Sequence, residues 1–166
     1  MILPERLFEQ AERLVAEGAA RSSQEDLRRA VSAAYYALFH QCLTAAADTL
    51  LGADTRASDL YALAYRSVDH RRLKDLCVEY AKQQPSRRYA DHLRVGDLDQ
   101  DLVAYAEMVL ELYQSRASAD YDPTWTVSGA NASVALETAR SAFARFAAAD
   151  PEKRRRFLIL LHFPPR

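Results

Sequence analysis

Residues 28–51 read RRAVSAAYYALFHQCLTAAADTLL, and this stretch decides the fold. Apolar side chains fall on nearly every side of it between Val31 and Leu43, the pattern of a helix surrounded by others. Ser22 and Glu25 stand three apart just before it, the spacing of a reciprocal capping box, and Gly52 marks the stop. Thirty alanines against eleven valines and isoleucines, with only four glycines, extend the same preference along the 166-residue chain. Alanine loses least on entering a helix and β-branched residues lose more, so the composition predicts helix almost everywhere and no sheet.

Working outward, residues 4–17 form an amphipathic helix with Leu7, Phe8, Ala11, Leu14 and Val15 on one face, Pro4 at its start and Gly18 as its stop. Two pieces follow, near 58–65 and 68–83, the second carrying Leu73, Leu76, Cys77 and Tyr80 at helical spacing until Pro85 ends it. The polar segment PSRRYADHLRVGD, residues 85–97, reads as a surface loop. Leu98, Leu102, Tyr105, Ala106, Val109, Leu112 and Tyr113 then mark a helix over about 98–115, followed by a turn around ADYDPTWTVS. Ser128 caps a last long helix in which Ala132, Leu136, Ala139, Phe143 and Phe146 recur at three or four residues. Asp150, Pro151 and Glu152 make a good helix start for PEKRRRFLILLHF, although so apolar an end suits a strand added to a partner equally well. Short connections favour antiparallel neighbours, so the expected architecture is all-α: an up-and-down bundle of four to five main helices over 1–150 and a basic, apolar C-terminal tail over 151–166.

With 49% hydrophobic and 27% charged residues and a net charge of -1, the chain can bury a core and is not built to coat itself in nucleic acid. Cys42 and Cys77 are far apart in sequence and lie in apolar stretches, as buried thiols rather than a zinc or redox pair. No secretory leader pattern opens the chain and no apolar run approaches the roughly 20 residues of a membrane span, so a cytoplasmic protein with no membrane contact is expected. No spacing points to a metal or a cofactor.

Two passages resemble a known family. RRAVSAAYYALFHQCL, residues 28–43, resembles the helix of HEPN-domain proteins in which a small residue, paired aromatics and Phe-His occur together. LYQSRASADYDP, residues 112–123, resembles the segment of one HEPN branch that runs arginine, short gap, Ala-Asp-Tyr. Between them, VDHRRLKDLCVEYAK is similar to that branch's histidine-led helix, and the order is kept from about Gln24 to Phe146. The resemblance implies a HEPN-like helical bundle that pairs into a homodimer. It implies a bacterial toxin-antitoxin or defence module that binds RNA or a small nucleotidyltransferase acting as antitoxin, and in some such pairs the partner modifies a tyrosine near the motif.

Many HEPN ribonucleases resemble one another in an arginine, then four to six intervening residues, then a histidine, set in a cleft between protomers and needing no metal. A near-neutral histidine moves the proton of the 2′-hydroxyl while the guanidinium holds the phosphate. Here the arginine is Arg116, and the positions four, five and six residues later hold Asp120, Tyr121 and Asp122, none of them histidine. A phenol of pKa near 10 is a poor base at neutral pH, so endoribonuclease activity, with Arg116 on the phosphate and His70 or His92 as base, stays open as the alternative. Arg116, Asp120 and Tyr121 are the candidate cleft residues, and Tyr121 is the candidate acceptor of a partner's modification. A structural reading stands beside this one: Arg116 and Asp120 are four apart, the distance of a helical ion pair.

Arg87, Arg88, His92 and Arg94, with Tyr89 among them, form a basic and aromatic loop of a kind suited to single-stranded RNA. Arginine-to-histidine spacings of the ribonuclease size occur at Arg87 with His92 and at Arg155 and Arg156 with His162, but 19 arginines make one or two such matches expected by chance. His40, beside Phe39, reads as a core histidine, and Tyr35, Tyr36, Tyr105 and Tyr113 as core or seam aromatics. The run Lys153 to Arg156 beside FLILL reads as a solvated face on a packing strip, or as a contact to phosphate or a partner protein.

Overall fold

A computed structural model describes residues 2–21, 23–82, 84–94, 96 and 98–165. The described residues are all-helical: α1 (Pro4–Arg21), α2 (Gln24–Leu51), a 3-10 turn (Ala53–Thr55), α3 (Asp59–Arg66), α4 (His70–Ala81), α5 (Gln100–Tyr121), α6 (Gly129–Ala148) and α7 (Pro151–His162), with no strand among them. None of these helices is long and apolar enough to cross a membrane. Contacts divide the chain into two compact units, the first made of residues 1–40 and 108–144, the second of 41–107 and 145–166.

In the first unit the α2 side chains Leu27, Ala30, Val31, Tyr35 and Leu38 are buried, as is Val109 and Leu112 of α5. Ser22, the expected cap of α2, lies outside the described residues; Ser23 Oγ accepts from the amide of Asp26 at 3.2 Å and serves the first turn. Gly18 is not a stop. It lies inside α1, where an added Cβ would meet Leu27 at 2.9 Å, so the glycine lets α2 approach closely. Gly52 does end α2, at φ 84°, with its amide on the carbonyl of Asp48 at 2.9 Å.

The second unit packs Tyr105 against Phe146 at 4.9 Å and Phe157 at 5.9 Å between ring centroids, and Tyr80 against Phe157 at 5.0 Å. Cys42 and Cys77 are both fully buried there as free thiols. The C-terminal segment is a helix and not a strand: Asp150 caps it on the amides of Glu152 and Lys153, both at 3.0 Å, and Phe157, Leu158, Leu160 and Leu161 are buried. Arg154 in turn donates to the carbonyls of Phe146 and Ala147 at the end of α6.

The segment after α4 is not simply a surface loop. Tyr89 and Leu93 are buried, and Glu79 binds Lys82 at 2.6 Å and the amide of Ser86 at 2.8 Å, tying the segment back to α4. The expected helix end at Gln83 and the expected end of the segment at Asp97 lie outside the described residues.

Candidate functional site

Helix α5 runs through Tyr121, six residues beyond the end expected from its apolar stripe, so Arg116, Asp120 and Tyr121 stand on its last two turns and not in a turn region. Facing them, α2 presents Arg28, Ser32, Tyr36 and His40, each four residues from the last and therefore on one side of the helix. Pairing runs antiparallel along this seam. Arg28 Nε donates to the carbonyl of Ala119 at 2.8 Å, and its two terminal nitrogens donate to Trp125 at 3.0 Å and Asp122 at 2.6 Å. These carbonyls include those a helix leaves orphaned at its C-terminal end, so Arg28 caps α5 from outside. Ser32 Oγ donates to Asp120 Oδ1, and Arg116 donates to Tyr36 Oη.

Arg116 is only 9% exposed, and its Nε lies 2.8 Å from Asp120 Oδ2. The Nε proton is not aligned on that oxygen, so the pair is held by charge more than by a directed hydrogen bond. Three rings surround the guanidinium, with Tyr36, Tyr121 and Tyr35 centroids 5.1, 5.4 and 5.9 Å from Cζ. Burial works against its charge, but the Tyr36 hydroxyl, Asp120 and Tyr121 more than offset this and raise its pKa. The cation is thus fixed and already neutralised within the unit. Tyr121, by contrast, is 73% exposed and covers the guanidinium from the solvent side.

His40 closes the other end of the seam, half-buried, its ring stacked on Tyr36 at 6.3 Å and 25°. Burial lowers its pKa from 6.5, which favours the neutral imidazole. In the sequence His40, beside Phe39, reads as a core histidine. The four-residue recurrence of Arg28, Ser32, Tyr36 and His40 was the signal that joins it to Arg116, and the surrounding alanines and aromatics hide that signal.

The other candidates stand elsewhere. His70 is the first residue of α4, half-buried, and with His92 belongs to the second unit, whereas Arg116 belongs to the first. Arg87, Arg88, His92 and Arg94 are exposed on the turns after α4. Tyr89 is buried beneath Arg88, whose Cζ lies 5.6 Å from the ring, so this tyrosine is not free to stack on a base. Among the described residues no three His, Cys, Asp or Glu side chains come together to hold a metal ion.

Comparison of the chain with protein-family models, with curated proteins and with solved structures finds no match. What the fold and site define is therefore an all-helical protein with a polar seam between two helices, ending in an exposed tyrosine.

Proposed function

We propose that the chain is a HEPN-like up-and-down bundle that works as a homodimeric binding module of a bacterial toxin-antitoxin or defence pair, in the cytoplasm, with a small nucleotidyltransferase as partner. One observation carries this reading. Arg116 is paired with Asp120 and donates to Tyr36, while Tyr121, stacked over it, is 73% exposed. A guanidinium committed in this way is poorly placed to receive a phosphodiester, since Asp120 would first have to let go. An exposed phenol is well placed to receive a nucleotidyl group. In that reaction Tyr121 Oη attacks the α-phosphorus of a nucleoside triphosphate, a P–O bond forms, pyrophosphate leaves and the phenolic proton passes to solvent.

The experiment is co-expression with a small nucleotidyltransferase of this type, followed by intact-mass and peptide mass spectrometry. One added nucleotidyl group on Tyr121, absent in Tyr121→Phe, supports the reading. An unmodified chain that also fails to co-purify with the enzyme refutes it.

The stacking of His40 on Tyr36 favours a second reading, a metal-independent endoribonuclease with His40 as base and Arg116 on the phosphate. Incubation with transfer RNA in EDTA tests it. Cleavage that vanishes in both His40→Ala and Arg116→Ala supports it, and cleavage equal to the parent in either variant removes it.

A further inference from the structure

We infer that the cavity between α1 and α6 in the first unit binds a linear aliphatic polyamine, a chain of ammonium groups joined by methylene segments. It does not rest on the reading at Tyr121. The two helices run antiparallel, with Ala19 beside Gly129, Glu12 on Arg140 and Phe8 on Phe143. Gly129 lets them approach closely at one end, where an added Cβ would stand 3.0 Å from that of Ala19. Towards the other end two phenylalanines stand between them, their rings meeting edge to face at 5.6 Å and 69°. A cavity of about 340 Å³ opens there, lined by Glu5, Phe8, Glu9, Glu12, Arg140 and Phe143, a size that admits a small ligand. Both rings are half-buried and form its floor.

The protein already holds one cation in this setting. Arg140 places its Cζ 5.4 Å from the Phe8 centroid, while Glu12 and, at 2.7 Å, Glu137 accept from its terminal nitrogens. A ring face flanked by carboxylates is thus what a cation meets here. The second ring has no such occupant. Among the described residues no cation lies over Phe143, and Glu5 forms no ion pair.

The walls carry three carboxylates against one guanidinium, and that guanidinium is held by Glu12 and Glu137. Glu9 pairs with Arg6 at 3.3 Å, but the two side chains are 57% and 76% exposed, so solvent screens the contact and it yields readily. Arg6 and Arg13 stand roughly 140 to 160° around α1 from Phe8, and neither lines the cavity.

Glu5, Glu9 and Glu12 fall on one side of α1, four and three residues apart. They make a ladder of about 10 Å along the helix axis. A compact ion such as magnesium would use the carboxylates and leave the rings bare, and a lone ammonium would use one rung. An extended polyamine lays its ammonium groups on successive carboxylates and its methylenes on the rings, and so employs both parts of the lining. The side chains of a basic peptide branch from a polar backbone that a ring floor does not satisfy.

Isothermal titration calorimetry of the intact chain at low salt, with spermidine, putrescine, magnesium chloride and a tri-arginine peptide as titrants, tests this. Spermidine is expected to bind saturably at a single site, about threefold tighter than putrescine, and to weaken as salt rises. Phe143→Leu, which keeps an apolar floor without a ring face, is expected to lose about threefold in spermidine affinity, and Glu5→Gln about as much. Arg6→Gln releases Glu9 and is expected to gain about twofold. Should Phe143→Leu fail the circular dichroism check, Glu5→Gln is read alone, since that side chain is exposed in the first turn of α1. The inference is overturned by heats that do not saturate, by binding that these two variants leave intact, or by Arg6→Gln binding no tighter than the parent. Magnesium bound as tightly as spermidine would mark an acidic surface only, and the tri-arginine peptide bound more tightly would mark a protein docking face; either result overturns it as well.

Discussion

Arg28 Nε donates to the carbonyl of Ala119 at 2.8 Å, linking the first turns of α2 to the last turn of α5 across 91 residues of sequence. The same guanidinium reaches Asp122 and Trp125, so one side chain fixes the segment on which Asp120 and Tyr121 stand. Arg28→Ala leaves these carbonyls without their donor. A loss of about 2 to 3 kcal/mol is expected for such charge-assisted bonds, read as a fall of roughly 5 to 10 °C in Tm by circular dichroism. Arg28→Lys keeps the charge but not the fork and recovers little. An unchanged Tm in Arg28→Ala would show that α5 ends there without help.

Arg116 and Asp120 form a pair whose side chains are 11% and 26% exposed, so solvent screens part of their attraction. A double-mutant cycle with Arg116→Met and Asp120→Asn, measured by urea unfolding, is expected to give a coupling of about 0.5 to 1 kcal/mol. Zero coupling would mean that the guanidinium is held by its tyrosines alone.

His162 is 8% exposed in the last turn of α7, with Nδ1 3.1 Å from Ser67 Oγ. Burial, with Arg72 nearby, lowers its pKa below 6.5 despite an opposing contact to the backbone of Ala46. Because the folded state disfavours the proton, its contribution to stability is complete above pH 6.5 and declines as the pH falls below that value. The carboxylates held low by their partners, Asp48 by Arg56 and Asp99 by the amide of Asp150 against the pull of burial, act only further down, as pH falls through the range near 3.8. Urea midpoints at pH 7.5 and 5.5 are expected to differ less in His162→Asn than in the parent. Equal differences would place the acid sensitivity elsewhere, His40 being the next group to test.

Much of the helical order was legible because its signals are local. Asp150 with Pro151 announced α7 and Gly52 the end of α2, since a cap and a left-handed residue act within one turn. Long-range placement was not legible. Gly18 looks the same in sequence whether it ends a helix or, as here, admits Leu27. Polar letters around Tyr89 and Leu93 suggested a solvated loop although both are buried, because Glu79, which ties that segment down, sits in the preceding helix. At the candidate site the Arg116 to Asp120 spacing was readable as an ion pair, but its partners on α2 were not. Arg28, Ser32 and Tyr36 earn their roles only when α5 is laid beside them.

The proposed module needs two copies to form a cleft around Tyr121, so the mass of the particle in solution bears on it most directly. Light scattering on the purified chain is expected to give twice 18.7 kDa, with Tyr121→Arg shifted towards a single copy. A particle of 18.7 kDa at every concentration tested would contradict the account.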